Sequence, residues 1–166
     1  MAYTPEQLSD LQCISDAVHD YCHGLDRGDR DWMARAYWPD GTDDHGYFAG
    51  NALEFVDLCL AGQGKWRATM HCILNHQIVL EADGIHARGE IYNVTYLFRA
   101  SDNEMSVWVG RYLDRYQKRG DEWRILERVC VHEGTTTHAN APMAFPAEKF
   151  RQGNFDRPSK GRPIGP

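Results

Sequence analysis

Apolar residues along the chain follow two spacings, helical at first and alternating later. Leu11, Ile14, Val18, Cys22 and Leu25 recur at three- and four-residue steps and so share one face of a helix. Ahead of them, Thr4-Pro5-Glu6-Gln7 supplies an N-cap threonine, a proline at the first helical position and a glutamine that closes a capping box; Gly28 supplies a stop. Asp29 or Arg30 opens a short second helix through Trp32, Met33, Ala36 and Tyr37, ended by Pro39. Residues 40–50, dense in Asp and Gly, predict a solvated acidic loop with room for a small hairpin over 43–48. Asn51-Ala52-Leu53-Glu54 repeats the capping signature and opens a third helix of about ten residues, with Leu53, Val56 and Leu60 on its apolar face.

Beyond Gly62-Gln63-Gly64 the period becomes two. Four strand-like runs, 68–80, 85–99, 105–116 and 123–133, are joined by short polar turns, which predicts antiparallel pairing in sequence order. Three helices followed by a long meander predict an α+β fold, a curled antiparallel sheet packed over the N-terminal helices. From Pro142 onward prolines, glycines and charges show no period. The expected division is therefore a domain over 1–135 and an extended or partly disordered arm over 136–166.

Composition narrows the partners. A length of 166 residues with 42% hydrophobic content suits one domain with its own core. A net charge of -6 leaves no basic stripe, so nucleic acid and anionic membrane surfaces are not expected partners. The chain starts without a charged-then-apolar leader, and no apolar run approaches the roughly 20 residues that span a bilayer; a soluble, cytoplasmic protein is expected. Five scattered cysteines, an odd number within apolar runs, suit reduced thiols.

Two residues stand out as chemistry. The first alternating run carries Thr69, His71, Asn75 and Gln77 around Ile73 at one parity and Met70, Cys72, Leu74, His76 and Ile78 at the other, so His71 points away from a mostly apolar row. A histidine among β-formers is either a hydrogen-bonded core residue or a reactive one. Asp26 closes the first helix, where negative charge is disfavoured, so it is either a turn residue paired with Arg27 or part of a site. His19, Cys22 and His23 have metal-ligand side chains at helical spacing, but they are only three and Cys22 belongs to the core face; no metal is expected.

The stretch from Tyr21 through Asp26 to Asp29, Thr69-Met70-His71 with Asn75, Val109 to Tyr116, and Trp123 to Arg128 together resemble the SnoaL-like family of the nuclear transport factor 2-like superfamily, to which scytalone dehydratase and hexachlorocyclohexane dehydrochlorinase belong. The resemblance covers about residues 6–135. It implies a cone-shaped α+β barrel with a pocket between sheet and helices, a homotrimer (a dimer being second choice), and no cofactor. It also implies that Asp26 and His71 form a catalytic dyad and that Arg128, five residues after Trp123, lines the pocket. In scytalone dehydratase a tyrosine adjoins the aspartate; here that position is Leu25, and Tyr21 is the candidate phenolic acid.

The chemistry of these side chains agrees with that assignment. A carboxylate on one imidazole nitrogen fixes the tautomer and makes the other nitrogen a better base for a carbon-bound proton. Arg128 keeps its charge at any pH and suits a leaving oxygen or an enolate; its alternative is an outward residue paired with Glu127 or Asp114. If Arg128 faces inward, so do Cys130 and His132, which makes His132 a second acid or base, or a rim residue. Tyr92, Tyr96 and Trp108 are expected to wall the cavity and suit a flat, ring-bearing substrate, while Asn75 contacts substrate or satisfies a strand end. The expected function is a cofactor-independent lyase, eliminating water, formaldehyde or halide from a small aromatic or polycyclic hydroxylated compound. A ketosteroid-isomerase-like isomerase and a non-catalytic small-molecule-binding module are the alternatives.

Overall fold

The computed structural model describes residues 2–101, 103–140 and 149. Helix α1 (Pro5–Arg27) starts at the capping box: Gln7 N–H donates to Thr4 Oγ1 and Thr4 N–H to Gln7 Oε1. It stops at Gly28, whose left-handed φ of 66° lets its N–H reach back to the Gly24 and Leu25 carbonyls. Helix α2 (Arg30–Ala34) is capped by Asp29, which accepts from Trp32 N–H.

This second helix ends earlier than its periodicity predicts, because β1 (Tyr37–Asp44) captures the chain. The Ala36 carbonyl accepts from Ile125 N–H at 2.8 Å, and Tyr37 pairs in parallel with Ile125. Pro39, with no N–H for a ladder, falls where the register slips between Tyr37 and Thr42. The acidic segment does form a hairpin, β1 with β2 (Ala49–Asn51), but Asp43 is 1% exposed and so is no part of a solvated loop. Helix α3 (Ala52–Ala61) opens on Asn51, which accepts from Leu53 N–H.

The four long strands are β3 (Trp66–Leu80), β4 (His86–Arg99), β5 (Glu104–Arg119) and β6 (Glu122–Ala139). They pair antiparallel in sequence order, and β1 joins β6 in parallel, giving a sheet ordered β2-β1-β6-β5-β4-β3. The sheet curls over the helices without closing into a barrel. β6 outruns its expected end: residues 136–139, assigned above to the arm, pair with β5 as far as Glu104 opposite Ala139. Apart from Asn140 and Lys149, the remainder of the expected arm lies outside the described residues.

The inner face carries Ile91, Tyr112, Tyr116, Trp123 and Ile125, which pack with Ile14, Val18, Phe55 and Val56 of the helices into the core. Between Ala68 and Leu80 the alternation along β3 is interrupted once. Ile73 pairs with Asn93 and His76 with Ile91, so β3 holds one residue more than β4 across this bulge. His76, Ile78 and Leu80 therefore join Thr69, His71 and Ile73 on the inner side, whereas Met70 and Leu74, 53% and 58% exposed, lie on the outer face. The single apolar row from Met70 to Ile78 expected from parity is thus split between two faces.

Candidate active site

At the end of α1, the Asp26 carboxylate reaches the inner face of β3 and gathers three donors. Thr69 Oγ1 donates to Oδ1 at 2.8 Å, the His71 ring meets Oδ1 through Nδ1 at 2.6 Å, and the His71 backbone N–H donates to Oδ2 at 2.8 Å. Burial alone would raise the Asp26 carboxyl, but the hydrogen bonds and charge of His71, with Thr69, outweigh it and hold the group below its usual range. Among the described residues Arg27 donates to the Asp26 carbonyl and not to its carboxylate, so the turn pairing is not what the carboxylate does. The two side chains are 11% and 9% exposed, and His71 Nε2 has no hydrogen-bond partner among the described residues.

Tyr21, one turn before Asp26, lies edge-on to His71 at 6.4 Å and to Tyr112 at 5.8 Å between ring centroids. Burial pushes both phenols well above their ordinary range, so both stay protonated. Tyr112 Oη accepts from Asn93 Nδ2 at 2.6 Å, which leaves its own proton free to donate.

Arg128 faces inward, but it is not the free cation expected from the sequence. Its Nε and Nη2 donate to the two oxygens of Asp114 at 2.8 and 2.7 Å, with both side chains fully buried. The guanidinium lies 4.4 Å from the Tyr21 ring centroid and 4.1 Å from that of Tyr112. Burial opposes its charge, yet the Asp114 carboxylate keeps its pKa well above the arginine norm. Nη1 is buried without a hydrogen-bond partner among the described residues.

The other expected residues divide by face. Trp108 is on the inner side, near-parallel to Tyr112 at 6.5 Å, and His132 lies 5.9 Å from it at the exposed rim, bonded to Thr135 Oγ1. Tyr92, Tyr96 and Asn75 do not wall this site. Strand β4 turns Ile91, Asn93 and Thr95 inward and therefore Tyr92 and Tyr96 outward, and the β3 bulge carries Asn75 out with them. Tyr92 and Asn75 instead line a hollow of about 230 Å³ on the outer face, together with Leu74 and Val109.

The sequence offered Asp114 only as a partner of an outward Arg128, whereas it pairs with an inward one. Tyr112 was not singled out, although strand parity reaches it, since it alternates with Asp114 and Tyr116 along β5. The pairing of His45 with Asp43, which borders Tyr112, carried no such signal, because its segment has a loop composition. Of the helical metal-ligand types, His19 is exposed, Cys22 is buried and His23 lies against the Trp32 ring; no group of three or more His, Cys, Asp or Glu among the described residues is placed to hold an ion. No described helix is long and apolar enough to cross a membrane.

Residues 6–129 match the model of the SnoaL-like domain, so the chain belongs to the SnoaL-like family. Its fold is that of a protein proposed to be a scytalone dehydratase from Novosphingobium aromaticivorans DSM 12444, at 19% identity and a TM-score of 0.73 over 87% of this chain and 99% of that one. The hexachlorocyclohexane dehydrochlorinase LinA-type3 from Novosphingobium barchaimii LL02 superposes with a TM-score of 0.74 at 16% identity, over 85% of this chain and 98% of that one. A protein of unknown function from Mycobacterium tuberculosis, Rv3472 carrying D26N, gives 0.67 at 21% identity over 80% and 78%. At these identities the likeness is one of fold. No curated protein matches the chain in sequence.

Proposed function

We propose that the chain is a lyase in which His71, oriented by Asp26, removes a carbon-bound proton and a small leaving group departs from the neighbouring carbon. The observation that carries this is the grip on Asp26: three donors fix the carboxylate, the carboxylate fixes His71 through Nδ1, and Nε2 is left as the base. The protonated phenols of Tyr21 and Tyr112 supply hydrogen-bond donors beside that base for the oxygen that gains charge. Arg128, paired with Asp114, acts here by holding the two rings rather than by binding the leaving group directly. The ring-lined setting favours a small aromatic or polycyclic hydroxylated compound. Two structural neighbours bear the names of eliminating enzymes, a dehydratase and a dehydrochlorinase, which accords with this chemistry.

The test is a panel of hydroxylated aromatic and polycyclic ketones, followed by mass spectrometry for loss of water. His71→Ala should lose at least about a hundredfold in turnover, and Asp26→Asn much of that by releasing the tautomer. Wild-type rates in both variants on a confirmed substrate would refute the base and leave a binding module. A product of unchanged mass that gains deuterium at a new carbon in deuterated water would identify an isomerase instead.

A further inference from the structure

We propose that His45 is a second acid–base group of the same site, the acid that protonates the leaving oxygen while His71 takes the proton from carbon. This rests on the elimination chemistry proposed above. Asp43, with a fully buried side chain, accepts from Tyr37 Oη at 2.5 Å through one oxygen and pairs with His45 Nδ1 through the other. The arrangement repeats that of Asp26 and His71: a buried carboxylate, a second hydroxyl donor on it, an imidazole bound through Nδ1, and Nε2 without a hydrogen-bond partner among the described residues. The two imidazoles are equally enclosed, 11% exposed for His45 and 9% for His71.

Each ring borders one member of a touching pair of tyrosines. His71 meets Tyr21 at 6.4 Å, Tyr21 meets Tyr112 at 5.8 Å, and Tyr112 meets His45 at 5.9 Å. Phe55 of α3 stacks on the His45 ring at 4.2 Å and 22°, which fixes the ring plane as Tyr21 does for His71. Across the sheet, Asp114, Arg128 and Asp43 stand side by side on β5, β6 and β1. Arg128 gives two nitrogens to Asp114, so the hydrogen bonds that Asp43 receives come from Tyr37 and His45. A buried carboxylate that binds one imidazole nitrogen and leaves the other beside a shared aromatic wall gives the site a second imidazole with which to move a proton.

In the step, the C–H electron pair becomes the new C=C bond as His71 Nε2 takes the proton. The C–O bond breaks, its electron pair stays on oxygen, and His45, entering the step as the imidazolium with Nδ1–H on Asp43, gives up its Nε2 proton to complete a water molecule. His71 then returns its proton to solvent and His45 regains one, so no other reactant is consumed. Asp43 is a positioning residue that holds the His45 ring through Nδ1 and steadies its positive charge.

The test uses the full chain. In nitrogen-15 imidazole spectra, 1-naphthol titrated to its solubility limit should move the Nε2 resonances of both His71 and His45. Movement of His71 alone overturns the role of His45 and leaves the elimination standing; movement of His45 alone, or of neither, overturns both. Asp43→Asn should move the His45 ring resonances without ligand, and unchanged resonances would refute the positioning role. The ketones 3-hydroxy-1-tetralone and 3-chloro-1-tetralone share the proton to be removed and give the same product, 1-naphthol, but only the first leaving group needs an acid. His45→Gln should therefore slow water loss at least about tenfold and chloride loss far less. Equal slowing of the two, or none, overturns the acid, whereas His71→Ala without effect on either overturns the elimination itself.

Discussion

Replacing Asp114 by alanine would remove the counter-charge of Arg128 from an interior in which neither side chain touches solvent. Two charge-assisted bonds, at 2.8 and 2.7 Å, would go, as would the acceptor that Tyr116 Oη uses at 2.8 Å. Tyr116 retains His76 Nε2 at 3.3 Å, so the larger loss falls on the guanidinium, whose Nη1 already lacks a hydrogen-bond partner among the described residues. Stripping one partner from a buried pair costs about 3–5 kcal/mol, since the remaining charge is neither hydrated nor paired. With a urea slope of about 2 kcal/mol/M, the unfolding midpoint should drop by about 2 M. Combining Asp114→Leu with Arg128→Met should instead leave stability within about 1 kcal/mol of wild type or raise it, because both charges leave together. Urea unfolding followed by tryptophan fluorescence at one fixed protein concentration measures all three proteins. A loss below about 1 kcal/mol for Asp114→Ala would mean that Arg128 finds a second partner, with Asp43 in the next register position the first to suspect, and the account of the row would fail.

Asp26, whose pKa is lowered on folding, contributes stability that is fully present above its ordinary 3.8 and is lost as pH falls through the lower folded value. Wild type should therefore lose more stability than Asp26→Asn between about pH 5 and about pH 3, and parallel urea-midpoint curves would contradict this. Gly24→Ala would set a Cβ 2.2 Å from the Met33 backbone nitrogen, an overpacking cost of about 1–3 kcal/mol that should lower the melting temperature by several degrees; an unchanged melting curve would refute it. Met70, Leu74, Tyr92, Val109 and Leu113 are each at least 37% exposed on the outer face, an apolar surface suited to contact between copies. Light scattering should give a trimer that Leu74→Glu with Leu113→Glu dissociates, and a wild-type monomer at micromolar concentration would rule that out.

The helical stretches and the four-strand meander could be read from the sequence because caps and periodicity are local signals. So could Asp26, because an aspartate at the end of α1 conflicts with helix chemistry and therefore calls for a partner. Strand parity failed for Asn75 and for the apolar row from Met70, since a bulge reverses the alternation and leaves no mark in composition. The second helix was overextended for a non-local reason: the captor of Ala36 and Tyr37 is Ile125, nearly ninety residues later. Asp43 escaped for the same reason. Its neighbours Asp40, Gly41 and Asp44 describe a surface loop, and only the parallel pairing of β1 with β6 takes it inside. Arg128 lies on the inner face as expected, but the sequence offered the Asp114 pairing only for an outward arginine, and here the inward guanidinium is the one that Asp114 holds.

The bulge in β3 fixes a length as well as a face. His71 and His76 are five positions apart, an odd number, and still look inward together only because one extra residue sits between Ile73 and His76. The same holds on β6 for Ile125 and Arg128, three apart, where the register with β5 slips between Arg115 and Tyr116. At these two joints the strand runs in opposite phase on either side of the slip, and losing a single residue at either joint would bring the phases together. One half of the strand would then have to turn over, sending either the histidine end or the core end of β3 to the outer face, although no site residue had been altered.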